Sequence, residues 1–374
     1  MNCRHTENPP AYGDCAEQGW QGSAAADIRD LGRTGLGELA QRLGERPFRA
    51  SQIARWLYQH DVEDIDGMSD VSAVLRRRLA QEWCVRRAAI EVSSTSTDGS
   101  CKVLVQFASG DAVETVHLPA ARRTTVCLSS QTGCPMACVF CVTGRRGRGR
   151  TLGTGEILEQ LLAIQRPQPA GAGLSRPTHV VFMGMGEPLL EPRPVIEAIR
   201  VLVWEHGFGY ASRRITVSTC GIPDGIRALA ESGLKPRLAL SLNAPWESLR
   251  LSLMPKAPPL AEVVPALKQY AAATKATITL EYVLLEGIND TPSCARALSS
   301  LATNLACKIN LIVFNDAGDG EFRASSPHRT RQFMEWLQPG PRAVTLRQSM
   351  GRDIAAACGQ LAGGACTPSG PAVP

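Results

Sequence analysis

Three cysteines fall in the run Cys134-Pro-Met-Ala-Cys138-Val-Phe-Cys141, a C-x3-C-x2-C spacing. Three thiolates are one short of the four that normally hold a 4Fe–4S cluster. A cluster held this way leaves one iron with an open coordination position, where a small molecule can bind and accept an electron. The alternatives for the same residues are a zinc site completed by a distant fourth ligand, or a group of structural cysteines.

Two further segments could carry chemistry. Directly after the third cysteine, Thr143-Gly-Arg-Arg-Gly-Arg-Gly-Arg150 places Arg145, Arg146, Arg148 and Arg150 among glycines, with no acid before Glu156. Guanidinium groups on a flexible loop suit a polyanion such as RNA; a plain basic loop is the alternative. Cys358 lies in Asp353-Ile-Ala-Ala-Ala-Cys-Gly-Gln-Leu361, after an alanine run expected to be helical. A free cysteine is commonly a small buried hydrophobe. Here Gly359 would let backbone or ligand approach closely, so a functional thiol is an equal alternative. Arg76, Arg77, Arg78, Arg86 and Arg87 form another basic group, fit either for a solvated helix face or for RNA phosphates,.

The elements that position these residues follow from composition and pattern. The chain has 374 residues, 44% of them hydrophobic, enough for one large core and a small accessory domain,. Its net charge of +5 only mildly favours a nucleic-acid partner,. Thirteen cysteines, an odd number without the spacing of a disulfide scaffold, point to a reducing cytoplasm,. The first ten residues contain no signal-peptide core, and no run of 18 apolar residues suggests a membrane span,.

Residues 1–24 are expected to be a disordered extension. A helical accessory domain is expected at 25–88, with Phe48, Ile53, Trp56 and Leu57 on one face and a helix through Leu75 and Leu79,. A β-hairpin connector should occupy 89–120, around a Ser109-Gly110-Asp111 turn,. From 121 to 349 about six strand–helix units alternate, the pattern of a parallel sheet covered by helices. A barrel and a doubly wound sheet fit this alternation equally. Residues 350–363 carry Cys358, and 364–374 read as a flexible tail. In either architecture, ligands collect at the C-terminal ends of the strands. The turns there are the cysteine loop, Gly184-Met-Gly186-Glu187-Pro188, Ser218-Thr-Cys-Gly221, Asn243-Ala-Pro245 and Asn315.

Taken together, these segments resemble the radical S-adenosylmethionine RNA methyltransferases that methylate adenine carbons in 23S ribosomal RNA. The resemblance runs from about Leu39 to Gly363. It rests on Cys127-Leu-Ser-Ser-Gln-Thr-Gly-Cys134, the three-cysteine motif, Phe182-Met-Gly-Met-Gly-Glu-Pro-Leu189, Arg213-Arg-Ile-Thr-Val-Ser-Thr219, Ile309-Asn-Leu-Ile312 and the Cys358 segment. It implies an α/β fold, a partial (β/α)6 barrel with a small N-terminal helical domain and β-hairpin. It implies one 4Fe–4S cluster on Cys134, Cys138 and Cys141, and S-adenosylmethionine lined by Gly186, Glu187, Ser218, Ser241, Leu242, Asn243 and Asn315. It further implies that Cys358 is methylated first, and that a radical drawn from a second S-adenosylmethionine activates that methyl for addition to the ring. Glu114 then matches a proton acceptor, and Cys127 a thiol that resolves the covalent intermediate. The implied partners are 23S ribosomal RNA, with transfer RNA left open, and a reducing donor such as flavodoxin or ferredoxin; the implied state is a monomer.

Some positions depart from the family pattern. Asn243 stands where the family usually has histidine, and Met350 where members that methylate adenine C2 carry arginine. Members that methylate C8 and confer antibiotic resistance carry an apolar residue at the latter. The Glu187-Pro-Leu and Val113-Glu-Thr-Val runs resemble the C2 type. A non-catalytic RNA-binding iron–sulfur protein would need the basic loop but not Cys358.

Overall fold

The computed structural model describes residues 25–166, 174–316, 320–337 and 343–362. The extension expected at 1–24 and the tail expected at 364–374 lie outside the described residues. After β1 (Ala26–Asp27) come three helices: α1 (Gly32–Arg42), α2 (Phe48–Tyr58) and α3 (Ala73–Glu82). Each buries a stripe at helical spacing: Leu36, Leu39 and Ala40; then Ile53, Ala54 and Leu57; then Leu75 and Leu79,. Ser72 starts α3 as its N-cap, its hydroxyl accepting the Leu75 N–H at 3.3 Å,. Phe48 departs from expectation: it is 51% exposed, with the Arg49 guanidinium 4.8 Å from its ring centroid. At the first position of α2 its side chain tilts toward the helix N-terminus, past the end of the packed stripe. β2 (Trp83–Cys84) returns to pair in parallel with β1.

The expected hairpin is part of something larger. β3 (Ala89–Thr95), β4 (Cys101–Gln106) and β5 (Ala112–Ala120) form an antiparallel meander, and β5 pairs with β6 (Arg123–Leu128). The meander is therefore an extension of the main sheet rather than a separate connector. From β6 onward the sheet is parallel, through β7 (His179–Phe182), β8 (Ile215–Thr219), β9 (Arg237–Ser241), β10 (Ile278–Leu284), β11 (Cys307–Val313) and β12 (Val344–Arg347). The helices include a short α4 (Val142–Arg146), α5 (Thr154–Gln165), α6 (Pro192–Val203), α7 (Pro223–Glu231), a short α8 (Glu247–Leu253), α9 (Leu260–Thr274), α10 (Pro292–Thr303) and α11 (Pro327–Leu337). Proline in the first turn of α6, α7 and α10 suits positions whose N–H has no intrahelical partner,.

Strand order runs β3 to β12 without reversal, and the two end strands do not pair. A doubly wound sheet reverses its order at a switch point; this sheet winds one way and stays open. Six β–α steps and a closing strand make the partial barrel. Val126, Val180, Val217, Leu240 and Leu280 bury one face of the central strands, and the opposite face carries Ser218, Ser241 and Glu281 toward the barrel interior,.

The N-terminal helices share this core: the buried apolar cluster runs unbroken from Leu36 and Ile53 to the barrel strands. A charge network ties the two parts. Arg29, wholly buried, bonds Glu159 of α5, and Arg166 reaches Asp61 and Glu159, each at 2.6 Å. Removing one member of such a network typically costs about 3–5 kcal/mol, because the remaining charge is stranded in a dry site. In the arginine group expected to face either solvent or RNA, Arg77, Arg78 and Arg86 are exposed, and several members also brace this region. Arg76 donates to the carbonyls of Met68 and Val71, Arg78 to that of Leu43 and Arg86 to that of Ala25. Arg87 pairs with Asp61 and Glu63. Arg77 reaches only the Ala73 carbonyl of its own helix.

Candidate active site

The C-terminal ends of the parallel strands open into one cleft with about 1050 Å³ of free space. All five turns picked out in the sequence reach it. Cys134, Cys138 and Cys141 form part of the wall; Gly186 and Glu187, Ser218, Ser241, Asn243, Asn315 and Cys358 complete it.

The donor set fits an iron–sulfur cluster. It consists of thiols only, from one loop, on one cleft. Among the described residues, no three His, Cys, Asp or Glu side chains are placed to hold a single metal ion. A lone zinc ion needs its ligands gathered on one point, whereas in a cluster each thiolate takes its own iron. Burial pushes the Cys134 thiol up to about 12 and raises Cys141 as well. The Cys220 thiol shares a hydrogen bond with Cys138, which favours the thiolate at Cys138 and leaves the proton on Cys220.

The residues expected around S-adenosylmethionine divide into two groups. The hydroxyls of Ser218 and Ser241 stand 3.2 Å apart on neighbouring strands, both facing the cleft. Glu187 is buried and works as a clamp: its carboxylate accepts the Cys220 N–H at 2.7 Å and the Leu189 N–H at 3.1 Å, while burial raises its carboxyl above the usual range. Asn243 adopts a left-handed backbone with φ of 56°, a conformation asparagine tolerates better than most residues,. Its amide oxygen accepts the Val283 N–H at 3.0 Å. Leu242 does not belong with them. It is wholly buried in the core, absent from the cleft wall, and its N–H and carbonyl bond to Glu281 and Ala244. β9 ends at Ser241 and the chain turns through the left-handed Asn243, leaving the Leu242 side chain in the core.

Cys358 does not follow a helix. A single 3-10 turn, Arg352–Ile354, ends at Ala355, which is left-handed at φ 51°. Gly359 serves this path through its φ of 88° and lines the cleft; a Cβ there would meet the protein backbone only at ordinary contact. The segment is stitched down on both sides. Asn315 donates its amide to the Cys358 carbonyl at 3.2 Å, and Thr143 of the cysteine loop donates to the Leu361 carbonyl at 2.6 Å. On the meander side, Lys102 donates to the Ala355 carbonyl at 3.2 Å, and Glu114 accepts the Ala362 N–H at 2.5 Å.

Glu114 is thus buried beneath the Cys358 segment, paired with Lys102 at 2.9 Å, and does not line the cleft. Cys127 is also buried behind the wall; burial, and then the neighbouring Cys358, push its thiol up to about 12. Sequence reasoning missed Arg347, at the cleft end of β12. The neighbouring Cys358 first, and then Glu281 and Cys127, raise its guanidinium above its ordinary range against the opposing effect of burial. The rule that ligands gather at strand C-termini could have found it, because Arg347 closes the last strand.

The arginine loop is corrected in part. Arg150 bonds Asp111 at 2.5 Å and Glu156 at 2.7 Å, and its backbone pairs with Thr132. Arg145 pairs with Glu321 at 3.6 Å. The glycines are not there for flexibility: a Cβ on Gly149 would lie 2.2 Å from the Gly133 nitrogen, so the loop folds tightly back on the residues before Cys134. Acids distant in sequence supply the partners that the local sequence lacks. Arg146 and Arg148 remain exposed and unpaired among the described residues. Arg150→Gln is therefore expected to lower stability by about 1–3 kcal/mol, read from chemical denaturation, and to leave the salt dependence of RNA binding unchanged.

Comparison with known proteins agrees with this geometry. Residues 26–85 match the ribosomal RNA large subunit methyltransferase N-terminal domain, and residues 128–292 match the radical SAM superfamily. The dual-specificity RNA methyltransferase RlmN of Nitratidesulfovibrio vulgaris (strain Hildenborough) is 43% identical over 335 residues, covering 86% of this chain and 91% of the relative. The probable dual-specificity RNA methyltransferase RlmN of Thermus thermophilus is 41% identical over 326 residues, covering 87% of this chain and 91% of its own length. The crystal structure of a radical SAM methyltransferase from Sphaerobacter thermophilus superimposes with a TM-score of 0.81 at 36% identity, covering 91% of this chain and 100% of that one.

Proposed function

The chain belongs to the RlmN family of radical S-adenosylmethionine methyltransferases, and from that premise we propose that it methylates C2 of an adenine in 23S ribosomal RNA, and of a transfer RNA, by way of a methyl group first placed on Cys358. The observation that carries this reading is the cleft itself, where Cys358 shares one wall system with Cys134, Cys138 and Cys141. Family membership implies an iron–sulfur cluster and S-adenosylmethionine. When bound, these supply the methyl group and the one-electron chemistry that an electron-poor ring carbon requires.

The protein's own part is placement. Cys134, Cys138 and Cys141 would hold one 4Fe–4S cluster, and Gly186, Ser218, Ser241, Asn243 and Asn315 would form the pocket for S-adenosylmethionine, with Glu187 bracing two of its loops. Arg347 and Cys358 line the same cleft, which puts a guanidinium beside the nucleophilic sulfur. Cys127 is kept protonated in a dry site close to Cys358, poised to take part once the segment opens. Glu114 positions the Cys358 segment through Ala362, and we assign it the role of proton acceptor. The position of Cys358 near Arg347 and Cys127 is what a non-catalytic RNA-binding protein would not need.

No helix among the described residues is long and apolar enough to cross a membrane. None of the ten described cysteines is in a disulfide. With a ribosomal RNA substrate these support a cytoplasmic enzyme, which we infer to be a monomer served by a flavodoxin- or ferredoxin-like donor. The test is nucleoside mass spectrometry of ribosomal and transfer RNA after anaerobic incubation with the reconstituted protein. The expected product is 2-methyladenosine. Formation of 8-methyladenosine instead would move the reaction to C8, and absence of both would remove the methyltransferase reading.

A further inference from the structure

Arginine also collects at the opposite end of the sheet. β6 to β9 are parallel, so their N-terminal ends share one rim, away from the cleft. Arg122 and Arg123 lie at the start of β6, Arg213 and Arg214 immediately before β8, and Lys235 and Arg237 at the start of β9. All six are exposed. Among the described residues none has an ion-pair partner, and no side chain of the six is hydrogen-bonded. They converge: His179, at the start of β7, has its imidazole pulled below the usual range by burial first, and then by Arg123, Arg214 and Arg237 together. Strand pairing explains the convergence, because Val180 aligns with Ile215 and Thr216 with Arg237.

Such a grouping is unfavourable unless something answers its charge. Like charges brought together from three segments repel, and at Arg29, Arg87, Arg150 and Arg166 this chain supplies an acid. Here it supplies none. Three strand spacings separate Arg123 from Arg237, about 14 Å, wide enough to meet more than one backbone phosphate. Five of the six are arginine, whose planar fork matches phosphate oxygens,.

We propose that this basal rim binds the phosphodiester backbone of the RNA substrate at a point remote from the target adenine. The proposal rests on the RNA methyltransferase reading and adds substrate size to it. Arg214 immediately precedes β8 and Ser218 lies near its far end, about 13 Å away,, so the rim cannot touch a base held in the cleft. It can engage only an RNA large enough to extend around the edge of the sheet. The rim then contributes affinity and orientation for a large folded RNA, and nothing for a short hairpin that fills the cleft alone.

The test uses the reconstituted full-length protein carrying Arg123→Gln, Arg214→Gln and Arg237→Gln together. For a large folded ribosomal RNA fragment, the slope of log affinity against log salt should fall by about 2 to 3, and kcat/KM should drop about tenfold near physiological salt. For a short adenine-bearing hairpin, kcat/KM should stay at the wild-type value. The matching triple lysine variant should recover most of the slope, since point charges still neutralise phosphates. An unchanged slope with the large RNA would overturn the proposal. Equal losses on both RNAs would overturn it too, because the residues would then be acting on the fold or the cleft. Slower reduction of the cluster by reduced flavodoxin, with RNA binding unaffected, would assign the rim to an acidic protein partner and overturn it as well. Wild-type protein that methylates neither RNA would instead remove the methyltransferase reading on which the proposal stands.

Discussion

Replacing Cys358 by alanine is expected to abolish methyladenosine formation while leaving about four iron and four sulfide per chain. The two halves of this result follow from different parts of the site. Cys358 comes from the segment after β12, whereas the cluster cysteines come from the loop after β6, so loss of its thiol leaves the cluster's donors intact. The segment should keep its path. It is held by its backbone, through the carbonyls of Ala355, Cys358 and Leu361 and the N–H of Ala362, and none of these bonds uses the thiol. Alanine is already accepted just before it, at Ala356 and Ala357. What is lost is the nucleophile beside Arg347, and removal of a covalent nucleophile typically costs roughly 10⁴-fold or more in rate. Methyl-labelled S-adenosylmethionine followed by intact-mass and peptide spectrometry separates the outcomes. Label should appear on Cys358 of the wild-type protein and on no residue of the variant. Product from the Cys358→Ala protein, or label in RNA that never resided on Cys358, would sink the route.

Much of this site was legible because its residues are local motifs at strand ends. The cysteine spacing, the glycine turn at Gly184–Gly186 and the Ser218 turn each announce themselves within a few residues, and strand–helix alternation places them at one end of the sheet. The sense of winding was not legible, because alternation is the same for a barrel and a doubly wound sheet; hydrogen-bonded strand order decides it. Partners distant in sequence were also hidden. Arg150 looked like a free cation until Asp111, 39 residues earlier, was found beside it. Glu114 looked like a catalytic acid or base, yet its side chain bonds to Lys102 and to Ala362, which lies 248 residues away. Leu242 came in with its neighbours Ser241 and Asn243, but the turn after β9 buries it in the core. Charge and polarity are written in the sequence, whereas their neutralisation is a property of the fold.

That distinction sets the expected result for the fourth cysteine of the cleft. Cys134→Ala, Cys138→Ala and Cys141→Ala should each reduce iron from about four per chain to below about one, with loss of the visible charge-transfer absorbance and of all product. Cys220→Ala should keep its iron. Distance alone does not separate the two groups, since Cys220 lines the same cleft and shares a hydrogen bond with Cys138. Position does. The three ligands follow one another on the loop after β6, where a single backbone path can present all of them to one cluster. Cys220 follows β8, its N–H held by Glu187 and its carbonyl by the buried Arg250, each bond at 2.7 Å or less. Its thiol retains the proton, because the shared hydrogen bond places negative charge on Cys138 and burial opposes a second thiolate alongside. A protonated thiol is a hydrogen-bond donor to a ligand sulfur rather than a ligand, so its removal should alter the cluster's reduction potential more than its occupancy. Iron and sulfide analysis of the four variants, reconstituted in parallel without oxygen, decides the matter. Full iron in Cys141→Ala together with iron loss in Cys220→Ala would show that the cluster sits on a different set of three.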